Sequence, residues 1–461
     1  MTIWQTSPTA DIILPVETAA RELDGKLLLS AFLAEAGMTS IVGSHARINN
    51  SLHALRGRVY VSQTIVRAKR RIFRIIRDMG LHLAAWDEEG FVWPSPAYYQ
   101  RRRLDPVNIA LLERFYLWGR EQADVVLEHH PEARAIIRIT GNPRQALYTP
   151  ALRELHRPRA EALRAEFGDY ILLNSNFASV NHARDSAAPL ERDESELAAL
   201  TARSNHDADY IRFRYAVFRS MVGLVEALAE ALPQRQLVIR PHPSENPEAW
   251  RRLARAHDNV HVRYDDDLPA WLLAAAVIIH NGCTTAIEAA MLERPVIEYR
   301  EVRSDRWENP QPSRVSVPAT SAEEVIALVA DEARLRSARR DAGKALSEIF
   351  AHWNEGFACR RIAEDLRSLV AAPPPETSPG RRRLAAVRSR WRGLEKALTG
   401  RLLPSKSANP AYIDRKFPPM TAQQARARLE RLAGLAGLAP PELVELAERI
   451  WLVEPGDRTA E

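Results

Sequence analysis

The sequence predicts an α/β protein: two doubly wound, parallel-sheet domains facing each other across a cleft, followed by a C-terminal helical basic extension. Three observations predict it. Short apolar runs rich in β-branched residues alternate with longer amphipathic runs, the pattern of a parallel sheet covered on both faces. The alternation breaks near residues 150–168 and then restarts. The 461 residues leave room for two to four domains at roughly 100–200 residues each.

The elements follow in order. Asp11–Val16 (DIILPV) reads as a buried strand. Leu23–Gly37 has helical spacing through Leu27, Leu28, Ala31, Leu33 and Ala34, and Gly37 ends it. Strand-like runs follow at Ser40–Gly43, Arg58–Ser62, Leu81–Trp86, Asp124–Glu128 and Ile136–Thr140. Helical stretches at Ile65–Met79 and Val107–Gln122 separate them. In the second half, Tyr170–Ser175, Leu237–Arg240, Val260–Arg263, Val277–His280 and Pro295–Tyr299 read as strands. Tyr210–Leu232, Ala322–Ala330 and Leu335–Ile349 read as helices. The predicted organisation is an N-terminal Rossmann-like domain over 1–155, a second one over 168–371, a Pro-rich linker with a basic amphipathic helix over 372–409, and a helical tail over 410–461, its last stretch two short helices broken at Pro440–Pro441.

Composition excludes several classes. Hydrophobic residues make up 46% and charged residues 27%, which excludes a disordered or fibrous chain. The two cysteines, Cys283 and Cys359, cannot build a disulfide framework or a zinc cluster. The N-terminus shows no basic head followed by an apolar run, and no apolar stretch reaches about 18 residues, so the expected compartment is the cytoplasm. The net charge of +5 is misleading as an average: residues 380–406 carry nine basic side chains against the single acid Glu395, and the remainder is slightly acidic. That distribution argues against a nucleic-acid partner. Leu384, Val387, Trp391, Leu394, Leu398 and Leu402 recur through the basic segment at helical spacing. Such a helix fits a membrane surface, its apolar stripe in the interface and its arginines on anionic headgroups; a helix packed on the protein itself is the competing reading.

In doubly wound sheets ligands bind beyond the C-terminal strand ends, and four of these ends carry polar clusters. In VIIHNGCTTAIEAAM (Val277–Met291), a strand runs through His280 into Asn281 and Gly282, and Thr284 and Thr285 open a helix. Gly282 allows close backbone approach, the threonines offer donors to a phosphate, and Glu288 is placed to accept ribose hydroxyls. A capped helix with a satisfied histidine is the plainer alternative. In LVIRPHPSEN (Leu237–Asn246), two prolines hold His242 in an extended loop, where its imidazole suits a phosphate oxygen. Arg240 is an anion partner or pairs with a carboxylate. In LAAWDEEG (Leu83–Gly90), Asp87, Glu88 and Glu89 crowd a strand end. Buried together they would raise a pKa and supply a general base; exposed, they form an acidic turn. In PVETAARELD (Pro15–Asp24), Glu17, Arg21, Glu22 and Asp24 either line the cleft or begin a helix. Two softer clusters are ITGNPR (Ile139–Arg144) and NSNF, in which Asn174 and Ser175 can donate to a phosphate.

Taken together, PVETAARELDGKLLL, WDEEG, ITGNPR, LLNSNF, RPHPSEN, HNGCTTAIEAAMLERPVIEY and, more loosely, DRKFP near residue 414 resemble bacterial surface-carbohydrate biosynthesis proteins with a GT-B glycosyltransferase fold. The resemblance implies that His280, Gly282, Thr284 and Glu288 hold a donor's phosphates and ribose. A more distant similarity, to CMP-sugar transferases such as bacterial sialyltransferases, lies in Glu88-Glu89-Gly90, His242-Pro243 and Thr284-Thr285. It implies that Glu88 is the base, with Asp87 and Glu89 as rivals, and that His242 stabilises the departing CMP.

The expected activity is therefore metal-independent glycosyl transfer from a nucleotide sugar, with a CMP-activated acidic sugar as one donor class, to a surface polysaccharide or lipid-linked acceptor. No cofactor is expected. Glu17 and Arg21 would stand on the acceptor side. Two alternatives stay open: a CDP-polyol phosphotransferase or sugar-nucleotide epimerase of the same fold, and a non-catalytic, membrane-docked glycan assembly protein. The expected location is cytoplasmic, peripheral on the inner membrane if the basic helix docks there.

Overall fold

The computed structural model describes residues 8–183, 190–204, 206–242, 244–264, 267–402 and 409–456. Pro243 of the His-Pro pair and Lys406 of the basic segment lie outside these residues. The strands are β1 (Thr9–Val16), β2 (Ser40–Ser44), β3 (Arg56–Ser62), β4 (His82–Ala85), β5 (Arg114–Leu117), β6 (Ile137–Ile139), β7 (Ile171–Asn174), β8 (Leu237–Arg240), β9 (Val260–Val262), β10 (Val277–His280), β11 (Val296–Tyr299), β12 (Val317–Ala319), β13 (Glu442–Ala447) and β14 (Ile450–Glu454). They divide between two compact units: residues 1–91, 96–155 and 348–461, and residues 92–95 and 156–347.

In the first unit the strand order is β13-β14-β2-β1-β3-β4-β5-β6. Strands β1 to β6 pair in parallel. The chain runs from β1 outward to β2, then crosses back to β3 on the other side, so the winding reverses between β1 and β3. On one face, Ile12, Leu14 and Val16 of β1 pack into a core with the helices Ala19–Glu35, Ala358–Ala371 and Ala422–Leu435. The period-2 alternation of a strand and the i, i+3, i+4 spacing of a helix put these side chains on facing surfaces. The helices His45–Ser51 and Arg70–Asp78 pack on β1, β2 and β4, and the long helix Pro379–Leu402 packs on both helices.

The second unit orders its strands β12-β11-β10-β7-β8-β9, all parallel. Renumbered from β7, this is the 3-2-1-4-5-6 winding of dinucleotide-binding sheets, whose ligand crevice opens where the order reverses. Here that point lies between β7 and β10. Ile171 and Leu173, Leu237 and Ile239, and Val277 and Ile279 point to one core, shared with Phe218, Trp250 and the helix Ala208–Ala231.

Four sequence expectations are corrected. Asp124–Glu128, expected as a strand, lies in the helix Arg120–His129, where Ala123 and Val126 are buried one turn apart. The expected helix Val107–Gln122 instead contains β5, a four-residue strand with Phe115, Tyr116 and Leu117 all buried. The second domain was expected to reach residue 371, but the chain re-enters the first unit at residue 348, because Cys359, Ile362, Leu366 and Leu369 complete its core. The tail beyond Pro440–Pro441 is not a helix. It forms the β13–β14 hairpin, with β14 antiparallel to β2. Gly43 makes that docking possible, because a Cβ there would lie 2.2 Å from the Arg449 carbonyl oxygen.

Candidate functional site

In the second unit the reversal point collects the expected donor-side residues. Asn174 and Ser175 end β7, Arg240 ends β8, and His280 ends β10. The organiser is Glu245, 3% exposed, which sequence reasoning had not singled out. Its carboxylate accepts from Ser175 Oγ (2.8 Å), the backbone N–H of Phe177 (2.9 Å), Trp250 Nε1 (3.2 Å), Asn181 Nδ2 (3.4 Å) and the backbone N–H of His242 (3.2 Å). One buried anion therefore ties the β7 loop to the loop after β8. Ser175 is committed to this network.

His242 projects from that loop into solvent. The backbone N–H of Ser244 donates to Nδ1 at 3.2 Å, so the neutral ring carries its proton on Nε2 and can donate outward. Partial desolvation holds its pKa below the usual histidine value, and Glu245 offsets this only in part.

His280 is different. It is fully buried, and burial alone pushes its pKa down to about 3. Gly282 N–H donates to Nδ1 at 3.0 Å, leaving the Nε2 proton for Ser316 Oγ at 2.8 Å. Ser316 Oγ then donates to the Pro312 carbonyl at 2.7 Å. Both ring nitrogens are engaged inside the protein, so His280 braces the loop rather than offering a charge. Asn281 Oδ1 accepts from Arg214 Nη1 at 3.2 Å, and Arg214 stacks 4.9 Å over the Phe177 ring. Gly282, with φ of +67°, has no atom within 4 Å of where a Cβ would stand, and its carbonyl accepts from Asn309 Nδ2 at 3.1 Å. Thr284 is exposed and makes no cap hydrogen bond, Thr285 meets the Cys283 sulfur, and Glu288 is buried. The helix they open, Thr285–Met291, spans only seven residues. Arg240 lies 5.6 Å from the Tyr264 ring.

In the first unit the three carboxylates of WDEEG separate by environment. Asp87 is fully buried and gripped by Arg103, whose Nε donates to Oδ2 at 3.0 Å and whose Nη2 bonds Oδ1. Glu89 is half exposed between Arg21 (3.1 Å) and Arg103 (3.0 Å). Burial works to raise its pKa, but Arg103 and Arg21 outweigh it and leave it low. Glu88 is buried, and desolvation, reinforced by the Glu22 carboxylate, holds its pKa above the usual value against Lys26, Arg144 and Arg21. Its Oε1 accepts from Trp86 Nε1 at 2.7 Å, while Oε2 accepts no hydrogen bond and has Arg144 Nη1 at 3.9 Å. Asp87 is thus an anchor and Glu89 a charge-paired surface acid. Glu88 alone combines a raised pKa with an acceptor atom that is buried and has no hydrogen-bond partner.

The acceptor-side candidates are tied in as well. Lys26 Nζ donates to Glu22 at 2.8 Å and to the Pro15 carbonyl at 2.6 Å, with Glu88 at 3.8 Å. Against the cost of burial, Lys26 and Arg21 hold Glu22 down at about 2. Glu17 is likewise held at about 2, where Lys416 at 2.6 Å overcomes desolvation. Lys416 comes from the loosely matched DRKFP segment, and Gln63 Nε2 adds a contact to Glu17 at 3.3 Å. Glu17 follows β1 and Gln63 follows β3, so this cluster sits where the winding of the first sheet reverses. Asp24 faces elsewhere and binds Arg428 Nη2 at 2.7 Å. At Gly25 the PVETAARELDG and ITGNPR segments meet: a Cβ there would lie 3.1 Å from the Arg144 backbone nitrogen, and the Arg144 guanidinium lies 3.9 Å from Glu88. Lys26, Arg103, Lys416 and Glu245 were missed as functional residues. Lys26, Glu245 and Lys416 lie within the segments that carry the resemblance, and Glu22 and Lys26 also show i, i+4 spacing; Arg103 had neither signal.

Among the described residues, no group of three or more His, Cys, Asp or Glu side chains is placed to share a metal ion, and no helix is long and apolar enough to cross a membrane.

No protein-family model matches the chain, and no curated protein matches it. Solved structures do. A putative UDP-N-acetylglucosamine 2-epimerase from Listeria monocytogenes is 14% identical with a TM-score of 0.49, over 81% of this chain and 99% of the other. The wall teichoic acid polymerase TagF is 10% identical with a TM-score of 0.48, over 79% and 88%. A glycosyltransferase from Rickettsia africae is 12% identical with a TM-score of 0.43, over 80% and 100%.

Proposed function

We propose that the protein is a glycosyltransferase acting on a nucleotide sugar, with Glu88 as general base and His242 as donor to the departing phosphate. The observation that carries this reading is the state of Glu88: of three consecutive carboxylates at one strand end, it alone is buried with a raised pKa and an unoccupied oxygen. A base matched to a hydroxyl near neutral pH needs that environment.

In the proposed reaction, Glu88 takes the proton of an acceptor hydroxyl as its oxygen bonds to the anomeric carbon. The bond from that carbon to the phosphate oxygen breaks, and the nucleotide leaves with both bonding electrons. His242 Nε2–H donates to the oxygen that gains charge, in the manner of a preorganised oxyanion donor. The position of Asn174, Asn281 and Gly282 at the reversal point of a 3-2-1-4-5-6 sheet supports a donor nucleotide there. Arg240, Thr284, Thr285 and Glu288 are assigned to the same subsite. Glu17 and Arg21 are assigned to the acceptor side. The acceptor class we assign is a surface polysaccharide or a lipid-linked glycan.

The test is incubation with CMP-, CDP-, UDP- and GDP-activated sugars plus a panel of glycan and lipid-linked acceptors, scoring released nucleotide and altered sugar. Acceptor-dependent release of one nucleotide supports transfer. Stereochemical change at the sugar without an acceptor identifies an epimerase instead. Absence of release with every pair overturns the transferase reading.

A further inference from the structure

The helix Pro379–Leu402 has two opposite faces with different fates. Its inner face carries small side chains one turn apart. Ala385 and Ser389 are fully buried, and Gly393 comes so close to the helix His45–Ser51 that a Cβ would lie 2.6 Å from the Asn50 carbonyl oxygen. Polar clamps run along the same contact: Arg392 Nη1 donates to the Asn49 carbonyl at 3.3 Å, Arg71 bonds Glu395 at 2.7 Å, and Arg388 approaches Asp78 at 3.7 Å. The helix is therefore seated on the first unit, not held out on a linker.

The outer face is apolar and bare. Leu384, Val387 (64% exposed), Trp391 (68%), Leu394, Leu398 and Leu402 supply six of the nine exposed large hydrophobic side chains among the described residues. At 100° per residue they fall within a narrow arc opposite Ala385, Ser389 and Gly393. Eighteen residues separate Leu384 from Leu402, so the stripe is about 27 Å long. By the same geometry, Arg381 and Arg388 border one side, and Arg383 and Arg390 the other. The one acid on the helix, Glu395, is paired with Arg71.

We infer that this stripe is a preassembled docking face for an anionic lipid surface. An apolar band flanked on both sides by arginine matches an acyl layer bordered by acidic headgroups. The same flanks disfavour a second copy of this chain, since self-pairing would bring two arginine rows together. Because the helix is already folded and seated, binding proceeds without a coil-to-helix transition. The inference is independent of the proposed chemistry, and its test reads no turnover.

The 461-residue protein is sedimented with vesicles of phosphatidylcholine alone and of phosphatidylcholine with about a third phosphatidylglycerol. Binding to the anionic vesicles, at least roughly tenfold above the neutral ones and weakened by salt, is expected. Trp391→Glu with Leu398→Glu should abolish it, and Arg383→Glu with Arg390→Glu should remove its preference for anionic lipid. All four side chains are exposed, so unchanged circular dichroism and melting temperature will confirm folding. A dye on Trp391→Cys should shift to an apolar environment on binding, with no gain in helix signal. Equal binding to both vesicle types, no binding, undiminished binding by the stripe variant, or self-association through the stripe without lipid would each overturn the inference.

Discussion

The Lys26 ammonium donates to Glu22 at 2.8 Å but stands 3.8 Å from Glu88. Two buried carboxylates thus share one lysine unequally, and their pKa values move apart: Glu22 down to about 2 and Glu88 up. That division separates a structural ion pair from a candidate base.

Glu88→Gln and Glu22→Gln should therefore behave in opposite ways. The first removes a charge whose burial is unfavourable, so it is expected to leave the melting temperature at neutral pH unchanged or raised while turnover falls by at least about a hundredfold. The second leaves Lys26 buried without its partner and should cost about 3–5 kcal/mol. Thermal melts beside nucleotide-release rates check both. Full activity in a folded Glu88→Gln protein refutes the assignment of the base.

Glu245 accepts from two backbone N–H groups and three side chains, and an amide would turn its own N–H groups toward some of those donors. Glu245→Gln is expected to lose roughly 3 kcal/mol and to weaken nucleotide-sugar binding through misplacement of His242. His242→Ala should spare stability but lower turnover by at least about a hundredfold. Calorimetric binding compared with denaturant unfolding separates the two effects; equal nucleotide affinity in wild type and Glu245→Gln would argue against the positioning role.

Acid should destabilise the protein in two windows. His280 has a folded pKa of about 3 against an ordinary 6.5. Its unfolded form binds the proton first, so its contribution is complete above 6.5 and declines as pH falls toward 3. Glu17 and Glu22, both held at about 2, contribute above about 4.5 and lose that contribution as pH drops to 2. Glu88 runs the other way, because a raised pKa favours the protonated folded state at low pH. In urea titrations across pH, His280→Asn should flatten the upper window and Lys416→Met the lower one; an unchanged slope in either variant contradicts its assignment.

Gly43→Ala should push the β14 strand off the β2 edge, at a cost of about 1–3 kcal/mol. Faster proteolysis within residues 442–456 than in the wild type is the expected readout. Equal protection in both proteins would mean that the backbone accommodates the methyl group.

Legibility of the sequence followed the range of the interactions involved. LVIR and VIIH are continuous apolar runs closed by proline or Asn-Gly, and they form β8 and β10 over the residues expected. RFYL was hidden because charged residues flank it and a helical pattern overlaps it. The β13–β14 hairpin was hidden because Leu443, Val444 and Leu446 fit helical spacing, and only pairing with β2, about 400 residues away in sequence, selects a strand. The carboxylates of WDEEG were visible as a cluster. The resemblance favoured Glu88, but the division into a buried anchor, a charge-paired surface acid and a buried carboxyl of raised pKa was not legible, because it depends on Arg103, Lys26 and Arg144 arriving from three other segments. Glu245 escaped notice for the same reason: its neighbours within SEN say nothing of Ser175, Phe177 or Trp250.

The first sheet joins the earliest and latest parts of the chain. Strand β2 finds its outer neighbour only in residues 450–453, and the helix Ala358–Ala371 that covers β1 also follows the whole second unit. On the ribosome, residues 156–347 are complete and able to fold while the first 155 still wait for a lid and an edge strand. A nascent chain in that interval carries a β2 unpaired along its outer edge and uncovered leucines, and this is the stage at which chaperone binding and aggregation compete.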